Sequence, residues 1–180
     1  MDTIKKDFTN DVINTASLPR FEEAVLTALQ PAYKKIMLIN VTIAYIIIGM
    51  ATGVVLYFFD ETRAFWLIAL VVYLLLIAVS VLLVNISFKN RGFAFRNHDV
   101  IYKSGVLASS TIVVPYNRVQ HVALHEGILS RKYGLAAIEV FTAGGDTSDL
   151  KISGIEKDEA EKIKQLLVGK ILKQEIKNEE

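Results

Sequence analysis

The sequence predicts an α+β membrane protein. A two-helix transmembrane hairpin is followed by a strongly bent sheet or split barrel of about seven strands, capped by a C-terminal α-helix. Three observations predict it. Residues 36–86 are almost wholly apolar, and nearly all the charge lies outside them. After Phe88 the pattern changes to short β-rich runs separated by turn residues. Behind residue 156, apolar positions recur at helical spacing among Lys and Glu.

The first apolar run covers 36–59, with Asn40 its one notably polar side chain, and the second covers 64–86, free of charge to Val84 and beyond. A helix needs about 20 residues to cross roughly 30 Å of hydrocarbon. A helix buried in a soluble core rarely stays apolar on every face for that long. About 35 largely polar residues precede the first run, which argues against a cleaved signal peptide.

The link 60–63, Asp-Glu-Thr-Arg, is too short for anything but antiparallel neighbours. Lys34 and Lys35 precede the first span, and Lys89, Arg91 and Arg96 follow the second, whereas the link has one Arg beside two acids. Positive flanks stay in the cytoplasm, so the reading is a multi-pass protein of the cell (inner) membrane with both termini inside. Residues 1–35 are then an N-terminal cytoplasmic segment, 60–63 an external loop and 88–176 a cytoplasmic domain. Tyr57, Phe58, Phe59, Phe65 and Trp66 gather at the loop end, where an aromatic belt belongs. Gly49-Met50-Ala51-Thr52-Gly53 is a small-xxx-small pattern, read first as packing within the hairpin and second as a dimer face.

Residues 1–17 are polar and without a clear period, as poorly ordered termini are. Residues 20–30 fit either a strand or a helix opened by Pro19, and Pro31 ends both; their role is to cover the soluble domain or lie along the membrane. Strands are predicted at 92–96, 100–103, 106–108, 111–114, 119–124, 135–142 and 150–153. Asn97-His98-Asp99 reads as a turn and Ala143-Gly144-Gly145-Asp146 as a tight hairpin. Ser153-Gly154-Ile155-Glu156 has capping-box spacing. The helix behind it carries Ala160, Ile163, Leu166, Leu167 and Ile171 as its apolar stripe.

These residues carry a resemblance. Val114-Pro115-Tyr116-Asn117-Arg118-Val119-Gln120-His121-Val122 is similar to the P-x-x-R-I/V-Q-x-V core of bacterial pleckstrin-homology-like domains. Gly127-Ile128-Leu129-Ser130-Arg131-Lys132-Tyr133-Gly134-Leu135-Ala136 resembles that family's G-x-L-x-R-x-F/Y-G-L-A stretch, and Thr142-Ala143-Gly144-Gly145 its hairpin. Two membrane helices ahead of one such domain is the layout of YdbS-like membrane proteins. The resemblance implies a bent seven-stranded sheet with a C-terminal helix. It also implies partnership with a larger membrane protein bearing several such domains, in envelope stress defence. The eukaryotic relatives carry a Trp in the C-terminal helix, but the single Trp here is Trp66. Between the first two strands of the domain stand only Arg96 and then Lys103. Phosphoinositide recognition is therefore not carried over.

Function classes narrow accordingly. With 20 Lys and Arg against 19 Asp and Glu, evenly mixed after Phe88, no basic face for nucleic acid is expected. The absence of Cys excludes disulfides and thiolate metal sites. His121 and His125 lie about 13 Å apart along a strand, too far to share a zinc ion, and no metal or cofactor is expected. No Gly-rich phosphate loop, H-E-x-x-H or G-x-S-x-G is present, and no ionisable group sits in the spans, so neither enzyme nor transporter is expected. Candidate contacts for a partner or lipid are Arg118 and Gln120, which share a face if both lie on a strand. The alternative has Arg118 paired with Glu126 or Glu139. Arg131 and Lys132 are a basic pair for anionic lipid or a solvated loop. The expectation is a non-enzymatic, bilayer-anchored interaction module for another membrane protein with such domains, or for a second copy. Recognition of anionic lipid or a small ligand is the alternative.

Overall fold

The computed structural model describes residues 23–142 and 150–179, with side chains to Leu172. The hairpin turn predicted at 143–146 and the segment up to residue 22 lie outside the described residues. In chain order the elements are β1 (Thr27–Ala28), α1 (Pro31–Phe58), α2 (Asp60–Arg63), α3 (Trp66–Lys89) and β2 (Gly92–Phe95). Then come β3 (Asp99–Gly105), β4 (Ser109–Pro115), a 3-10 turn (Tyr116–Arg118), β5 (Val119–His125) and α4 (Ile128–Lys132). The chain continues as β6 (Leu135–Thr142), β7 (Leu150–Glu156) and α5 (Lys157–Glu179).

Helices α1 and α3 have 28 and 24 residues. At 1.5 Å per residue they extend about 42 Å and 36 Å, enough to span hydrocarbon and emerge from it. Ile47, Met50, Leu67, Val71 and Leu75 are each more than half exposed. Soluble monomers rarely show apolar patches beyond a few hundred Å², so lipid is the solvent these faces suit. The helices pair through polar groups that hydrocarbon would otherwise leave unsatisfied. The Tyr73 hydroxyl donates to the Tyr45 carbonyl at 2.7 Å, and the Tyr45 hydroxyl shares a 2.7 Å bond with Ser80 Oγ. Gly49 makes room for this, since a Cβ there would come 2.8 Å from the Tyr73 hydroxyl. The link is a single helical turn. Within it Arg63 donates to the Leu56 and Tyr57 carbonyls at 3.2 and 2.8 Å, satisfying acceptors that the end of α1 leaves open.

The β-rich part is two open antiparallel sheets, β1-β2-β3-β4 and β5-β6-β7, not a closed barrel. Pro115 and the 3-10 turn carry the chain from one sheet to the other. Phe93, Val100 and Val114 from the first sheet meet Ile138, Val140 and Ile152 from the second, and α5 adds Ala160 and Leu167.

β1 resolves the ambiguous segment before the membrane. Thr27 pairs with Phe93 and Ala28 with Gly92, and Leu29 enters the core at 3% exposure. The sheet thus begins ahead of the hairpin, earlier than a boundary at residue 88. The two membrane helices are inserted between its first two strands. Pro31 ends the strand and opens α1.

Three local expectations change. Residues 106–108 are the loop between β3 and β4, not a strand, because Gly105 turns the chain at φ +151° and Gly105 already pairs with Ser109. Residues 153–156 continue β7 and do not cap a helix. Gly154 bulges out of register at φ +84°, and α5 starts at Lys157, whose N–H donates to the Gly134 carbonyl. Leu166 is 47% exposed and off the buried stripe of Ala160, Ile163, Leu167 and Ile171, which keeps strict i, i+3, i+4 spacing.

Candidate functional site

β4 is an edge strand exposed along most of its length. Thr111-Ile112-Val113-Val114 is β-branched throughout and suits a strand. It pairs with β3 along its whole length, Asp99↔Pro115 through Gly105↔Ser109. Among the described residues no strand pairs with its outer side. Edge strands are ordinarily protected by charges, yet β4 has none. Ile112 and Val113 are exposed, and Leu107, at the tip of the β3–β4 loop, is 96% exposed.

A polar knot holds one end of this edge. Arg96 forms a two-pronged pair with Asp99, through Nε at 2.6 Å and through Nη2. The buried Tyr116 donates its hydroxyl to the Arg96 carbonyl at 2.7 Å. Burial, aided by the nearby Asp99 charge, pushes that phenol up to about 12. From α5, Lys170 donates to the Asn97 carbonyl at 3.0 Å and places its ammonium over the Tyr116 ring.

Arg118 and Gln120 are both exposed, but they do not share a strand face. Arg118 ends the 3-10 turn, and Gln120 is the extra residue where the β5–β6 register shifts between Val119 and His121. Alternation assumes unbroken strand geometry, and the turn and bulge break it. Nor does Arg118 pair with either expected acid. Glu126 binds Lys157 at 3.0 Å and lies 3.9 Å from Arg131, whereas Glu139 binds Lys151 at 2.6 Å and His125 at 3.2 Å. The Lys151 hydrogen bond chiefly holds the Glu139 carboxyl below its usual range, and Glu126 raises Lys157. His121 stacks on Phe141 at 4.1 Å. Among the described residues no three His, Cys, Asp or Glu side chains gather as a metal set.

Arg131 and Lys132 end α4, a short helix rather than a loop. Both are exposed, Ile128 at the other end of α4 is 91% exposed, and α4 lies against α1. Two features of this surface have no clear signal in the sequence. Leu107 looked like strand interior, and α4 was hidden by its five-residue length. The charge-free, β-branched run of β4 was the available signal for the edge.

This chain matches the bacterial PH domain family over residues 24–170, which takes in β1, both membrane helices and most of α5. The chain belongs to the bacterial PH domain family. It is similar to the transmembrane protein YdbS of Bacillus subtilis (strain 168), with 32% identity over 72 residues. That alignment covers 40% of this chain and 43% of the Bacillus protein's length. No solved structure matches significantly. A single bacterial PH domain is thus joined here to two apolar helices, with its first strand on one side of the hairpin and the rest on the other.

Proposed function

We propose that this bacterial PH domain protein is a non-enzymatic assembly module of the inner membrane. Its hairpin fixes the location, and its β4 edge takes a strand from a second PH-like domain, either in a larger membrane protein or in another copy. The carrying observation is the unpaired, uncharged edge with Ile112, Val113 and Leu107 exposed beside it. Such an edge offers a row of main-chain donors and acceptors, the chemistry of strand addition. Shared anchoring raises the effective concentration of partners to roughly millimolar, so a modest edge suffices. The Lys and Arg flanks of both spans support a multi-pass arrangement with the domain and both termini in the cytoplasm. A role in envelope stress defence rests on the family resemblance alone. The test is detergent pull-down of the full chain against the double variant Ile112→Lys and Val113→Lys. Two charges on the edge should abolish capture of the partner; an unchanged set of partners overturns the reading.

A second reading has α4 rest on the membrane surface, with Ile128 dipping into the interface and Arg131 and Lys132 over anionic headgroups. It is supported by their exposure and by the contact of α4 with α1. Retention of full-length protein on anionic over zwitterionic liposomes should then fall in Arg131→Gln/Lys132→Gln and with added salt. Indifference to both removes it.

A further inference from the structure

Where the hairpin meets the first sheet there is a cleft of about 260 Å³. Its walls include Lys89 and Arg91, where the chain leaves α3, Lys103 of β3, and Leu26 just before β1. Its floor follows from register. Ala28, Gly92 and Lys103 stand side by side across β1, β2 and β3, and directly opposed residues share a face. Two of those three carry little or no side chain, so the face is bare up to Lys103. Gly92 suits this closeness: a Cβ there would come 3.0 Å from the Leu26 Cβ.

Among the described residues the cleft is lined by three cationic side chains and no acid. Among the described residues, Lys89, Arg91 and Lys103 belong to none of the ion pairs, which involve Arg63, Arg96, His125, Arg131, Lys151 and Lys157 instead. The Nε of Arg91 is buried without an acceptor, while the rest of its guanidinium lies beside the Tyr102 hydroxyl. Lys and Arg side chains offer donors only, so nothing among these three can satisfy another. The C-terminal end of α3 opposes them with about half a negative charge. Three full positive charges outweigh it.

Location narrows the ligand. Lys89 is the last residue of α3, just past the point where its apolar run ends, which is where hydrocarbon gives way to headgroups. An anion rich in acceptor oxygens and held at that level matches the cleft. We propose that it binds the phosphate of an anionic lipid headgroup, gripped by Lys89 and Lys103 with Arg91 behind them. This goes beyond the assembly reading and uses none of the β4 or α4 residues. Inorganic phosphate presents the same oxygens, so the source must be tested along with the site.

The full-length protein is purified in detergent with equal phosphatidylglycerol and phosphatidylcholine, and retained lipid is counted by native mass spectrometry. In parallel, its thermal unfolding is followed with inorganic phosphate and no lipid. The expected result is preferential retention of phosphatidylglycerol, weakened roughly 10-fold or more in Lys89→Gln/Lys103→Gln. Those two lysines are exposed, so the fold should tolerate the change; Arg91→Gln, melting as wild type in phosphatidylcholine, gives a second reading. Protection by phosphate alone, lost in the same variants, upholds the site and makes its ligand a soluble phosphate. Phosphatidylglycerol retention and phosphate response that are unchanged in both variants, or altered only by Arg131→Gln/Lys132→Gln, overturn the proposal.

Discussion

Tyr33, in the first turn of α1, lies against Gly154 in the bulge of β7, so closely that a Cβ on Gly154 would come 2.5 Å from the Tyr33 Cγ. One residue before the helix, the Gln30 N–H donates to the Gly154 carbonyl at 2.9 Å. Two residues before that, Ala28 pairs with Gly92 of the other sheet. Both sheets therefore hold the root of the membrane hairpin within a few residues. The anchor and the domain meet as packed neighbours, so a load on the domain reaches α1 without a flexible linker between them.

Gly154→Ala should lower stability by about 1–3 kcal/mol, from the collision with Tyr33 and from a φ of +84° that L side chains rarely adopt. Tyr33→Ala in the same chain removes the collision and leaves the backbone strain, so part of the loss should be recovered. Thermal unfolding in detergent of wild type, both single variants and the double variant measures this coupling. Strict additivity would show that the two residues act independently.

The parts of this fold that were legible in the sequence are those set by a local pattern. The hairpin was readable because lipid demands length and apolarity in one stretch, and β6 because Leu135–Thr142 lies between a glycine and a glycine pair in the sequence. β1 was not readable: two residues hold no period, and Thr27 becomes strand through Phe93, far along the chain. Val106-Leu107-Ala108 has strand composition but is a loop, since Gly105 and Ser109 close the hairpin around it. At the candidate site, Arg118 and Gln120 do not share a strand face, because a 3-10 turn and a bulge are fixed by inter-strand register. The Lys89–Lys103 cleft depends on that same kind of pairing, which spacing along the chain cannot show.

Alkaline pH should weaken the knot at Tyr116. Its folded value, about 12, lies above the usual value near 10. The neutral phenol's contribution is therefore complete below pH about 10 and disappears as pH rises through about 12. Tyr116→Phe should cost about 1 kcal/mol at neutral pH, since the Arg96 carbonyl loses its donor. The difference in melting temperature between the two proteins should shrink from pH 9.5 upward, whatever the lysines do in both. A difference independent of pH would detach the hydroxyl from the stability of this corner.

Acid should act on Glu139 with the opposite sign. Its carboxyl sits below the usual range, first through the Lys151 hydrogen bond and then with help from His125. The resulting stability is complete above the unfolded value, near 4.3, and is lost as pH falls through the folded one. Glu139→Gln should be less stable than wild type at pH 7, and the gap should close on acidification below pH about 4. A parallel pair of melting curves down to pH 2 would mean that the β5–β6–β7 bridge contributes nothing to stability.

The two glycines of the membrane helix should respond differently to the same substitution. Gly49 faces Tyr73, whose hydroxyl donates to the Tyr45 carbonyl, so Gly49→Leu must push that ring away. Losing an interhelical hydrogen bond in lipid costs about 1–2 kcal/mol at most, and the displaced packing adds to it. Gly53 has nothing within 4 Å of an added Cβ and borders an open cleft of about 350 Å³ beside Thr52, Leu56 and Trp66. Gly53→Leu should therefore leave the hairpin as stable as wild type in micelles, while Gly49→Leu lowers its melting temperature. Self-association in liposomes, read by energy transfer between labelled copies, completes the comparison. If packing within the hairpin is the purpose of the pattern, Gly53→Leu leaves association unchanged. A fall in association with stability intact would move Gly53 to a face between two copies and leave Gly49 alone to serve the hairpin.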